Sequence, residues 1–186
     1  MAIKTFSAGA VLNASDTNTY LANSGLVYVT GGTYSGTLLS VSSCFTATYR
    51  NYCLVIDNLF TPSGVRTVAL QLQSSGTPHT SAYYWGGYYS GWAGGFGGAN
   101  SGAGGAAYQQ INTGGGYSPS SSVTQINNPN NSSKKANFIV SAINYDAGFH
   151  CGGYHDVATN YDGFRVYNTS GDTCNFNWAL YGYRTA

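Results

Sequence analysis

The residues best suited to hold a ligand are aromatic. Between positions 83 and 116 the chain reads YYWGGYYSGWAGGFGGANSGAGGAAYQQINTGGG, with Tyr84, Trp85, Tyr88, Tyr89, Trp92 and Phe96 recurring among glycines. Flat rings stack on sugars and bury area at little entropic cost, so these six form a candidate recognition surface for a glycan. A second reading fits the same residues: 83–89 is a strand whose rings cover a sheet face, and the glycines that follow form a long loop.

Titratable groups offer less. His150, Cys151, His155 and Asp156 sit together in FHCGGYHD. In a regular strand Cys151 and His155 share a face and His150 points away, which leaves two ligands where a structural zinc needs four. Glycan hydrolysis needs two carboxylates facing each other across a sugar. Of the candidates Asp16, Asp57, Asp146, Asp156, Asp162 and Asp172, three (Asp57, Asp162 and Asp172) stand beside Gly or Asn, where turn chemistry accounts for them. A Ser-His-acid site would draw on His79, His150 or His155, and no GxSxG elbow occurs. The expectation is therefore a non-enzymatic chain with no catalytic residue, no metal and no cofactor.

Composition narrows the class. Lys+Arg number 7 and Asp+Glu 6 in 186 residues, there is no Glu, and the net charge is +1. Nucleic-acid binding needs a field of cations, and only Lys134 and Lys135 are adjacent, so no nucleic-acid partner is expected. So uncharged a surface tends to self-associate, which suits burial in a larger assembly. Seventeen Tyr and 8 Phe among abundant Thr, Ser and Gly point to an all-β chain. No apolar run is long enough to enter a membrane, and AGAVL is too short for a signal-peptide core, so synthesis and folding in a cytoplasm are expected. Cys44 with Cys53, and Cys151 with Cys174, are placed to pair if oxidised; reduced, they act as small buried hydrophobes.

The elements that must position these residues follow from periodicity. Residues 13–25 carry the one helix signal, with Asn13 as cap, Asp16 three positions on and Gly25 as stop. About ten residues of helix are marginal alone and must dock, so Phe6, Val11, Leu12, Asp16, Asn18, Tyr20 and Leu21 form a candidate attachment surface. Strands are predicted over 26–30, 36–43, 65–73, 121–129, 136–145, 148–155, 163–168 and 174–184, with turns at 61–64 and 170–172. Residues 45–59 read as a polar turn followed by a strand buried on both faces. In 65–73, Val68, Leu70 and Leu72 face the core, with Thr67, Ala69, Gln71 and Gln73 on a wet face; 136–145 reads as a buried run and 148–155 as a broken strand. The fold class is all-β: an antiparallel β-sandwich, jelly-roll-like, over 26–186, preceded by a short extended or helical appendage over 1–25.

Three stretches carry a resemblance. Ala8, Gly9, Val11, Leu12, Ala14, Asp16 and Asn18 are followed by Phe45, Tyr49, Asn51, Tyr52, Leu54 or Val55, Ile56 and Asn58, and the chain ends through Leu180, Tyr181 and Gly182. In this order they resemble a family of small virion proteins of tailed bacteriophages. The resemblance implies a structural component of the virion, assembled in the host cytoplasm, often a homotrimer and in contact with other tail or capsid proteins. The aromatic and glycine-rich tract is not covered by it, as a loop contacting a host-surface glycan would not be. The expected role is a fibre or tail-associated adhesion component. A capsid decoration protein and a stand-alone carbohydrate-binding module are the alternatives. Deleting residues 1–25 is expected to abolish incorporation into particles and leave the remaining domain folded, as checked by circular dichroism and by assaying purified particles for the truncated chain.

Overall fold

The computed structural model describes residues 25–91, 95–100, 105–114, 119–144 and 147–184. The predicted helix up to residue 24, all seven attachment residues and Trp92 lie outside the described residues. Thirteen strands follow in order: β1 (Leu26–Gly36), β2 (Leu38–Val41), β3 (Tyr49–Phe60), β4 (Arg66–Ser74), β5 (Thr77–Pro78), β6 (Tyr83–Gly91), β7 (Phe96–Asn100), β8 (Gln109–Gly114), β9 (Ser120–Asn127), β10 (Asn137–Ile143), β11 (Ala147–His155), β12 (Gly163–Asn168) and β13 (Cys174–Arg184). They form an eight-stranded sheet ordered β1-β13-β3-β9-β10-β11-β6-β7 and a five-stranded sheet ordered β2-β12-β4-β5, with β8 also on β4. Every pairing is antiparallel.

The core lies where the two sheets face each other, an arrangement consistent with a β-sandwich. Tyr52, Leu54, Ile56, Ile126, Phe138, Val140 and Leu180 of the larger sheet join Val68, Leu70, Leu72, Ile111, Phe164 and Val166 of the smaller one in a single buried cluster. Fully burying one such side chain stabilises the fold by about 1.5–3 kcal/mol. Rings lock the sheets: Phe45 packs on Tyr52 at 4.7 Å and on Phe164 at 5.8 Å, and Phe164 meets Trp178 edge-on. The Leu72 N–H donates to the Tyr83 hydroxyl across the interface at 2.7 Å. Turns follow local chemistry: Gly64 N–H donates to Thr61 O, Ser170 N–H donates to Asn168 Oδ1, and Ser75 and Gly76 take φ of 50° and 77° between β4 and β5.

Several expectations are corrected. β10 alternates: Phe138, Val140 and Ala142 are buried but Ile139, Ser141 and Ile143 are exposed, because nothing among the described residues covers that face of the larger sheet. β11 is one continuous strand, its glycines lying in ladder positions. β3 is central, yet Val55 is half-buried and Asp57 is exposed, so its outer face is only partly closed. On β4, Ala69, Gln71 and Gln73 are buried. Gln71 donates to Ala107 O, and Gln73 joins Val41 O, Ser42 Oγ, Ser40 Oγ and Arg165 Nε, so an amide network closes the face expected to be wet. The cysteines, by contrast, match the reduced alternative: all four are free and buried, and desolvation pushes Cys44 up to about 12 and Cys174 up to about 11, which leaves these two protonated and inert.

At one end of the interface sits a ring knot. His155 Nε2–H donates to Ser81 O at 2.9 Å, and the Tyr161 hydroxyl sits 2.5 Å from His155 Nδ1 and 3.0 Å from Val157 O, to which it donates. His79 packs edge-on against both rings. Burial penalises the imidazolium and lowers the pKa of His155 and of His79 below 6.5. Between those lowered values and 6.5 the unfolded chain binds more protons than the folded one. Stability from the knot is therefore full above that window and is lost as pH falls through it. Urea denaturation midpoints should drop between pH 7.5 and pH 5, and the more accessible substitution His79→Gln should flatten part of the slope; a midpoint independent of pH would refute this account.

Candidate recognition face

Successive residues of a strand face opposite sides, so the buried residues fix the outward set. On β6 the buried Tyr83 sets Trp85, Gly87 and Tyr89 to the same side and Tyr84, Gly86 and Tyr88 to the other. On β11 the buried Phe149, Cys151 and His155 leave His150, Gly152 and Tyr154 outward. The register aligns Tyr84 with Tyr154, Gly86 with Gly152 and Tyr88 with His150.

These pairs make a trough. Tyr84 and Tyr154 stack with centroids 5.4 Å apart and planes 16° apart, and Tyr88 and His150 pair at 5.5 Å. Four residues of strand, roughly 13 Å, separate the two aromatic pairs, and the glycine pair forms the floor between them. The hollow beside Tyr88 and His150 measures about 290 Å³ and runs over Gly86, Ile139 and Gly152. It shares Ser141 and His150 with a groove of about 480 Å³ over Val55, Val123 and Ile143.

The adjacent glycines have different causes. A Cβ on Gly87 would run into His150 O and Cys151 Cα, and one on Gly153 into Gln109 Oε1, Trp85 Cβ and Tyr84 O; both are required by packing. A Cβ on Gly152 would meet nothing nearer than Phe138 O at 4.0 Å. Packing does not require glycine there, and its effect is to keep the trough open.

Polar groups are sparse. Ser141 Oγ and His150 Nδ1 lie 3.2 Å apart across the ladder. Asp57, at the far end of the groove, accepts from Asn58 Nδ2 and Ser121 Oγ. Lys135 Nζ stands 5.6 Å from the Tyr154 centroid and pairs with Asp156, whose carboxylate raises the lysine pKa. The Ser-His pair lies on a sheet whose local N–H groups are engaged in ladders, so it offers hydrogen bonds to a ligand without a backbone oxyanion hole.

The six aromatic residues named from sequence are thus divided. Tyr84 and Tyr88 line the trough. Tyr89 is exposed on the other face with its ring against Gly97, and Trp85 turns inward, packs against the core and donates its indole N–H to Tyr108 O at 3.0 Å. Phe96 begins β7 at the sheet edge. Tyr154 was not named from sequence and His150 was named only for other chemistry, although a signal was present: Tyr84-Trp85-Gly86-Gly87-Tyr88 and His150-Cys151-Gly152-Gly153-Tyr154 share an aromatic-x-Gly-Gly-aromatic pattern, which antiparallel pairing superposes with Gly86 opposite Gly152. The metal candidates separate as strand geometry requires: His150 faces out, while Cys151 faces in beside Gln109 and His155 lies in the ring knot. No three His, Cys, Asp or Glu among the described residues are grouped to hold a metal ion.

Comparisons with protein-family models, curated proteins and solved structures return no match to this chain. Trp85→Ala should lower stability by about 2 kcal/mol or more, whereas Tyr88→Ala should stay within about 0.5 kcal/mol of the parent; denaturant titration of the two variants checks the assignment of faces.

Proposed function

We propose that this chain is a non-enzymatic structural protein of a tailed-phage virion, a fibre or tail-associated adhesion component that offers the outer face of its eight-stranded sheet to a bacterial surface glycan. Residues 26–186, wound in a jelly-roll-like manner, are the displayed body in this reading, and residues 1–25 attach or trimerise it. The observation that carries the glycan assignment is the trough itself. Two aromatic pairs stand on either side of a glycine floor in which packing does not require Gly152, which suits a sugar lying over the floor against the rings. The lining of the hollow supports it further, since among the described residues it carries no Lys, Arg, Asp or Glu and would hold the uncharged residues of a glycan through rings and hydroxyl hydrogen bonds.

A capsid decoration protein is the second reading. It is favoured by Val123, Ile139 and Ile143, aliphatic side chains 41–54% exposed on the same face and suited to burial against another protein. The two readings separate by experiment. Tyr88→Ala and Gly152→Leu, one removing a wall and the other filling the floor, should each weaken retention of the purified chain on bacterial surface polysaccharides several-fold, in line with about 0.5–1.5 kcal/mol for each ring stacked on the sugar. Melting temperatures should be unchanged. Retention unaffected by both variants would remove the adhesion reading.

A further inference from the structure

A separate pocket, of about 270 Å³, lies at the end of the larger sheet and is lined by Ala47, Tyr49, Arg50, Asn128, Asn130 and Asn131. Its hydrogen bonds determine which amide ends remain. Arg50 Nε donates to Asn128 Oδ1 at 3.3 Å, and because arginine can only donate, the open end of Asn128 is Nδ2. Asn131 Oδ1 accepts the Ser133 N–H at 2.9 Å, so its open end is again Nδ2. Asn130 is reversed: Nδ2 donates to Phe45 O and Tyr161 O, which leaves Oδ1 as acceptor. Among the described residues no carboxylate lines the pocket or pairs with Arg50, in contrast to Arg66 with Asp172 and Lys135 with Asp156.

We infer that this pocket binds the carboxylate of an acidic sugar. The Nη1 and Nη2 of Arg50 present a planar fork matched to a carboxylate, and the two Asn Nδ2 groups add donors on the same anion. Asn130 Oδ1 is the acceptor a neighbouring hydroxyl requires, which a bare anion would leave unused. The volume suits one sugar ring. Loop geometry holds the set in place: Asn128 takes φ of 53° with its N–H donated to Arg50 O and Asn51 Oδ1, and Tyr161 N–H donates to Pro129 O.

The inference rests on the reading of the chain as a glycan binder but concerns a different place from the trough. The test titrates the full chain with methyl glucuronide, methyl glucoside and glucose 6-phosphate, followed by NMR shifts. Glucuronide should bind at least roughly tenfold more tightly than glucoside, and more weakly as salt is added. Asn131→Asp keeps the acceptor for Ser133 and turns the open donor into an anion, so it should reduce glucuronide binding roughly tenfold or more, as should Arg50→Gln. Both sites are on the surface, and melting temperatures should hold. Equal affinity for glucuronide and glucoside, tighter binding of the phosphate, or unchanged binding by Asn131→Asp would each overturn the inference. Tyr88→Ala separates it from the adhesion reading: polysaccharide retention lost in Tyr88→Ala without a glucuronide preference refutes only the acidic pocket, and glucuronide binding that survives Tyr88→Ala supports the pocket whatever the trough does.

Discussion

Burial of one face of the eight-stranded sheet is the constraint from which the rest follows. Once Tyr52, Leu54, Phe138, Val140, Phe149 and Leu180 are committed to the interface with the smaller sheet, the two-residue period gives every other residue of those strands to the opposite side. A shift of one residue on β6 would put Trp85 and Gly87 outward and Tyr84 and Tyr88 into the core, where neither hydroxyl is prepared with a partner. Tyr83 holds the register: its ring packs beside Phe138 and His155, and its hydroxyl receives the Leu72 N–H. The candidate recognition face is therefore a product of core packing, arranged from behind.

A chain with so little charge must satisfy its buried polar groups by other means. Gln73 uses both ends of its amide across β2 and β12, and Asn127 Nδ2 donates to Asn137 Oδ1 at 2.8 Å across the outer face. Amides can do this because each carries both donor and acceptor, whereas a buried carboxylate or ammonium needs an opposite charge. Where an amide is held at one end, the identity of its other end is determined, which is how Asn128, Asn130 and Asn131 come to present a defined pattern.

Strand positions with clear alternation are legible from sequence. β12 and the inward half of β4 read correctly because Phe164, Val166, Val68, Leu70 and Leu72 stand two apart. The outward half of β4 does not, since Gln71 and Gln73 look solvated until the chain around Ala107 and Ser40–Ser42 is seen to receive them. β10 misleads in the opposite sense: Phe138-Ile139-Val140 is apolar without a break, and hydropathy cannot tell which member lacks a partner. The trough requires the pairing of two distant segments, 62 positions apart between Tyr88 and His150, which single-strand periodicity does not contain. The Asn-rich pocket reads as a turn, but turn residues do not disclose which amide ends they leave open.

Polarity across the outer face is ordered by strand register. Tyr183, Asn51, Asn127, Asn137, Tyr154 and Tyr84 form one transverse row, and the next two rows carry Ile139 with Gly152 and then Val55, Val123, Ser141 and His150. Three interstrand spacings, about 14 Å, separate β11 from β3, so the amide row crosses from the aromatic trough toward the Arg50 pocket over polar ground. Movement along the strands instead leads onto aliphatic ground. In the proposed reading a glycan lies along the trough, which runs from Tyr84 and Tyr154 in the transverse row to Tyr88 and His150 two rows on, so it shares Ser141 and His150 with the aliphatic groove. All three rows stand on the same core, so a substitution such as Tyr88→Ala changes the face without touching the inward side chains that orient it.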